Sequence, residues 1–114
     1  MERKSLRVSV IIISEGGAYT AQCLQYDIAA QGETISKVKD RFARTFSAHI
    51  AIDRERGIEP LSGIPESPQE YWELWNSAHP LLGTLPIRVP SLPPGIQPPP
   101  AWMIEAMGEE IRIL

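Results

Sequence analysis

Three sets of residues in this chain have types and spacings that could carry chemistry. Asp27, Glu33 and Asp40 lie near one another in sequence, and clustered carboxylates are what a two-metal nuclease requires. Such a site also draws a carboxylate from a central strand, and the most strand-like segment, Leu6–Ile13, has none. Asp27 follows a strand, Glu33 precedes a helix and Asp40 faces solvent, so turn and surface roles are expected and nuclease chemistry is not. Cys23, His49 and His79 form the second set. No Cys-x-x-Cys, His-x-x-x-His or Glu-x-x-His spacing joins them into a metal site. Cys23 falls in mid-strand, where cysteine acts as a small apolar residue. His49 falls on the apolar stripe of a helix, and His79 precedes Pro80 in a turn. No catalytic residue, cofactor or metal is expected, and the chain reads as a non-enzyme.

The third set suits binding. Lys37, Arg41 and Arg44 recur at helical steps of four and three, which places them in one stripe, the main concentration of positive charge. They could meet an acidic partner, RNA, or the acidic second half of the same chain; as structure they are a solvated helix face. Given the overall negative charge and no exposed aromatic residues interleaved among them, RNA binding is not the expected use. Tyr71, Trp72 and Trp75 belong to residue types that dominate interface hot spots. They are equally the residues with which a short helix would dock on its own domain.

The elements that position these sets divide at a compositional boundary. The chain has 114 residues, a net charge of -3 at pH 7 and 43% hydrophobic residues, which fits one domain of ordinary size. All eleven prolines lie at or after Pro60. Residues 1–57 carry nine Lys/Arg against seven Asp/Glu, whereas residues 58–114 carry two against seven. The expected organisation is a folded module at 1–57 and a proline-rich acidic extension at 58–114. The extension should be partly ordered, since Trp72, Trp75 and Trp102 lie in it and disordered segments are poor in aromatics. A single cysteine rules out an internal disulfide and suits a reducing cytoplasm. No apolar run is long enough for a membrane span, and the charged residues from Met1 to Arg7 argue against a secretory leader.

Within the module, Leu6–Ile13 reads as a largely buried strand and Gly16-Gly17 as a tight reversal. Ala18 to Gln25 reads as a returning strand, with Tyr19, Ala21 and Cys23 on one face and Thr20, Gln22 and Leu24 on the other. Asp27 to Gly32 predicts a third short strand. Thr34 predicts a helix N-cap, with a helix from Ile35 to about Asp53 and Gly57 just past its end. Ile35, Val38, Phe42, Phe46, His49 and Ile50 form its apolar stripe. In the extension, Ser67-Pro68-Gln69-Glu70 predicts an N-cap serine and a helix from Pro68 to about Ser77. Leu85–Pro90 suits an edge strand and no central one. Pro98-Pro99-Pro100 reads as a stiff spacer, Ala101–Met107 as two helical turns, and Glu109–Leu114 as a final short strand.

The run from Ala18 to Thr34 resembles the HicB-like antitoxin family. That family has an aromatic residue, then Ala-x-Cys-Leu, a variable stretch, and Ala-Gln-Gly-x-Thr opening a helix. Tyr19, Ala21, Cys23, Leu24, Ala30, Gln31, Gly32 and Thr34 match, within a resemblance that covers residues 6–50. It implies an α+β fold: a small three-stranded antiparallel sheet (β-β-β-α) with one main helix across it, described as partial ribonuclease-H-like. It also implies a protein that binds and masks a small toxin. The helix face here is basic where the family is acidic, so an acidic partner surface is expected. Residues 58–114 lack a ribbon-helix-helix or helix-turn-helix pattern, so DNA binding is not expected. The leading expectation is therefore a cytoplasmic, homodimeric, antitoxin-type binding module, with Lys37, Arg41, Arg44, Tyr71, Trp72 and Trp75 as partner-binding residues. The alternatives are a structural or regulatory homodimer with no toxin, and RNA binding through the basic helix.

Overall fold

Strand β1 (Lys4–Glu15) is apolar on both faces from Val10 to Ile13, the pattern of a strand with cover above and below. The computed structural model describes residues 4–81, 83–89 and 104–114, and β1 lies inside its sheet. It turns at Gly16-Gly17, both with positive φ (54° and 84°), into β2 (Ala18–Cys23), pairing from Glu15 opposite Ala18 to Val10 opposite Cys23. Positive φ at both central residues is what a type I′ two-residue hairpin turn demands. The next strand, β3 (Ala29–Gly32), pairs antiparallel with β2.

Helix α1 (Ile35–Glu55) follows at once. Thr34 accepts a hydrogen bond from the Lys37 amide at 3.1 Å, so the expected N-cap is in place. Gly32 makes the tight passage from β3 into α1 possible: a Cβ there would stand 2.6 Å from the Val38 nitrogen. The helix ends in a Schellman arrangement, with Gly57 N–H donating to Arg54 O at 3.1 Å and Ile58 N–H to Asp53 O at 2.8 Å. Its buried row is Val38, Phe42, Phe46 and Ile50. His49, expected in that row, is exposed. The buried side chains follow an i, i+4 ridge, which drifts around the helix axis as α1 crosses the twisted sheet and leaves His49 beside the contact.

The main core lies between α1 and one sheet face: Leu6, Val8, Val10 and Ile12 of β1, Ala21 and Cys23 of β2, and the α1 row. Leu61 joins it from the loop after α1. This residue sits at φ 66°, and its N–H donates to Asp53 Oδ2 at 2.8 Å.

The α+β class stands, but the three-stranded antiparallel sheet is corrected. Among the described residues the sheet is mixed and six-stranded, in the order β3-β2-β1-β6-β4 with β5 also on β6. Strand β6 (Ile104–Ile113) runs parallel to β1 along its free side. The expected helix at 101–107 is therefore a strand from 104 onward; Ala101 to Met103, Trp102 included, and Pro98 to Pro100 lie outside the described residues. A bulge hides the alternation of this strand. Val8 faces Gly108 but Ser9 faces Glu110, so Glu109 is an extra residue. Ile104 and Ala106 before it and Ile111 and Ile113 after it all pack on the main core, although their sequence parity changes.

Strands β4 (His79–Leu81) and β5 (Leu85–Ile87) both run antiparallel to β6 along its outer side, so the expected edge strand is present but short. Helix α2 (Gln69–Ser77) covers part of the second sheet face, where Ile11, Ile13, Leu24 and Ala78 pack with Tyr71, Trp72, Leu74 and Trp75. Its N-cap is Pro68 and not the expected Ser67. The Ser67 backbone is held instead by a 3.0 Å hydrogen bond to Leu24 O, and its hydroxyl is buried without a partner. Among the described residues no helix is long and apolar enough to cross a membrane.

Candidate functional site

The basic stripe lies on the outer side of α1, and its charges are locally engaged. Lys37 Nζ lies 3.4 Å from Glu33 Oε2, and Arg44 Nε lies 3.2 Å from Asp40 Oδ2. Both are i, i+4 pairs with strongly exposed side chains, where an ion pair adds little stability but does offset charge. Arg41 differs. Its Nη1 donates to the backbone carbonyl of Gln31 at 3.2 Å, which sets the guanidinium against the outer side of β3. The cations were legible from their spacing; the carboxylates that answer two of them sit one helical turn earlier in the same sequence.

Tyr71, Trp72 and Trp75 lie on α2, each half-buried on the second sheet face. Since α1 occupies the first face, the sheet separates the two sets and they do not form one site. The α2 set has a further member that sequence reasoning missed, Arg112. Its guanidinium lies 4.4 Å from the Trp75 ring centroid, and Nη1 donates to Trp75 O at 2.9 Å. Glu110 Oε1 accepts from Nε and Nη2 at 3.1 and 3.0 Å. Arg112 thus ties the last turn of α2 to β6 by a cation–π contact and a charge-assisted hydrogen bond. Its signal in the sequence was its alternation with Ile111 and Ile113, which points it to the face opposite theirs.

The three carboxylates, Cys23 and the two histidines do not converge. Asp27 Oδ1 accepts from Gln22 Nε2 at 3.0 Å, while Glu33 and Asp40 serve Lys37 and Arg44. Among the described residues no three His, Cys, Asp or Glu side chains stand together as a metal site. Cys23 is fully buried, and burial pushes its thiol up from about 9 to about 11, against a smaller lowering by the Tyr26 and Gln25 backbone. Its Sγ lies 3.9 Å from Gln25 Oε1, which also accepts from the Ser9 amide at 2.8 Å. That thiol is held protonated and packed, which is the opposite of an activated nucleophile. His79 and His49 are exposed and distant from this cluster in the chain.

Two sheet edges complete the geometry. The β4/β5 edge carries Pro80 opposite Arg112 and Pro86 opposite Met107; proline has no N–H to offer an incoming strand. The β3 edge, Ala29-Ala30-Gln31-Gly32, has neither a proline nor a charged residue. Comparisons with family models, with curated proteins and with solved structures return no match to this chain.

Proposed function

We propose that this chain is a non-catalytic protein-binding module of HicB-like antitoxin type that masks a small partner protein. The observation that carries the reading is how residues 29–38 are used. The Ala-Gln-Gly-x-Thr segment ends β3, lets α1 approach through Gly32, and caps α1 through Thr34. Two of the residues shared with the family, Gly32 and Thr34, are thus the ones that build the strand-to-helix junction. The surface offered to the partner is the outer side of α1, where Arg41 has a carbonyl but no carboxylate within reach among the described residues. An acidic partner surface is the complement of that guanidinium. DNA and RNA are not the ligands of this reading.

The test is co-expression with the product of the adjacent reading frame. A stable complex that Arg41→Glu disrupts, with the fold intact, supports the proposal. Recovery of this chain only as itself sinks it. A second reading, a structural or regulatory dimer without a toxin, is favoured by the packing of Tyr71, Trp72 and Trp75 on their own sheet. It is the reading left standing if no complex forms.

A further inference from the structure

We infer that the outer edge of β3 is a self-association site, at which a second copy of this chain adds its own β3 antiparallel about a two-fold axis at Ala30. The backbone directions come first. Cys23 N–H donates to Ile28 O at 3.0 Å, so the Cys23–Ile28 pair is hydrogen-bonded. By the alternation of an antiparallel ladder, Ala21–Ala30 and Tyr19–Gly32 are hydrogen-bonded too. The N–H and C=O groups of Ala29 and Gln31 therefore point away from β2. Arg41 reaching Gln31 O from outside agrees with this. Among the described residues no strand pairs with that edge.

The edge is complementary to itself. A second β3 centred on Ala30 sets each Ala29 against the other copy's Gln31, which makes about four backbone hydrogen bonds. Arg41 uses one lone pair of the Gln31 carbonyl and leaves the second available. The strand carries no charge, and the flanking carboxylates are engaged, Asp27 by Gln22 and Glu33 by Lys37. Each copy also brings one cation to the seam, the Arg41 guanidinium held on the Gln31 carbonyl, to set against the carboxylates of the other copy. The prolines of the far edge exclude the alternative in which β3 of one copy adds to β4 or β5 of the next. That head-to-tail contact would propagate, whereas β3 on β3 closes at two. Four residues a side is short, so the association depends on concentration. This interface does not rest on the masking of a toxin-like partner.

Sedimentation equilibrium of the full chain between about 1 and 200 µM tests it. A monomer–dimer equilibrium is expected for the natural sequence, weakened about tenfold or more by Ala29→Pro. Proline there removes an N–H that β2 does not use, so the circular dichroism spectrum stays unchanged. If Ala29→Pro misfolds, Ala29→Lys keeps the strand and adds charge to the edge. Amide exchange is the second readout: protection of Ala29 and Gln31 rises with protein concentration and that of Ala21 does not. A monomer at every concentration overturns the inference. So does a dimer indifferent to the folded edge variant, or assembly that continues past two.

Discussion

Replacing Gly32 by alanine adds one methyl group, and the structure says where it goes. The new Cβ would lie 2.6 Å from the Val38 nitrogen, 2.9 Å from its Cα and 3.1 Å from the Lys37 carbonyl carbon. All three are backbone atoms of α1, so no side chain can swing aside; the first turn of the helix must move away from β3. Movement of that size loosens Val38, fully buried against the sheet, and strains the Thr34 cap. Overpacking of this kind costs about 1–3 kcal/mol, and loss of the cap adds about 1 kcal/mol. Against this, alanine restricts the unfolded chain and returns about 0.4–1 kcal/mol. The net expectation is a loss of about 2 kcal/mol, or roughly 8 °C in Tm for a domain of this size. Urea unfolding followed by circular dichroism measures it, with Gly63→Ala as the control because a Cβ at Gly63 meets nothing within 4 Å. A Gly32→Ala protein as stable as the Gly63→Ala protein would refute the close approach of α1 to β3.

Cys23 should resist thiol reagents at about pH 8 in the folded protein and react at once when unfolded, since its pKa is raised to about 11. Because the unfolded thiol ionises first, this contribution is intact below about pH 9 and is lost as pH rises toward about 11, up to about 3 kcal/mol; a Cys23→Ala protein that loses stability equally over that range would contradict it. Arg112→Met keeps much of the aliphatic bulk but removes the cation over Trp75 and the hydrogen bond to its carbonyl, so a loss of about 1–2 kcal/mol is expected. A shift in tryptophan emission should accompany it, and an unchanged spectrum would place Trp75 elsewhere.

Much of the first half was legible because its signals are local. Gly16-Gly17 marks a turn, Thr34 a cap, and Val38, Phe42, Phe46 and Ile50 a helical row, each readable within a few residues. The face assignments of β2 follow from parity alone: Ala21 and Cys23 lie under α1, and Leu24 under α2. What escaped was non-local. The bulge at Glu109 breaks the period-two pattern of β6, so a strand reads as helical turns followed by a shorter strand. The neighbour of β6 is β1, about a hundred residues earlier, and no local period can announce that pairing. The binding residues show the same division: cations on a helix stripe are visible in a sequence, while the carbonyl that Arg41 holds across the β3 edge is a product of the fold.

The apolar run of β1 implies more than a strand. Ile11 and Ile13 point to the face opposite Val10 and Ile12, and all four are buried. A strand apolar on both faces needs cover on both, together with a neighbour on each side to satisfy its backbone. Residues 4–55 supply α1 for one face and β2 for one side. The rest comes from beyond Pro60: α2 covers Ile11 and Ile13, and β6 takes the other side of β1. The acidic, proline-bearing half therefore finishes the core of the basic half. Its prolines at 80 and 86 fall on the strands that end the sheet, where a missing N–H protects an edge at no cost to the ladder. The edge without such protection is β3, in the segment that carries the family resemblance. An edge left open in a chain that blocks its other one is where an added strand belongs.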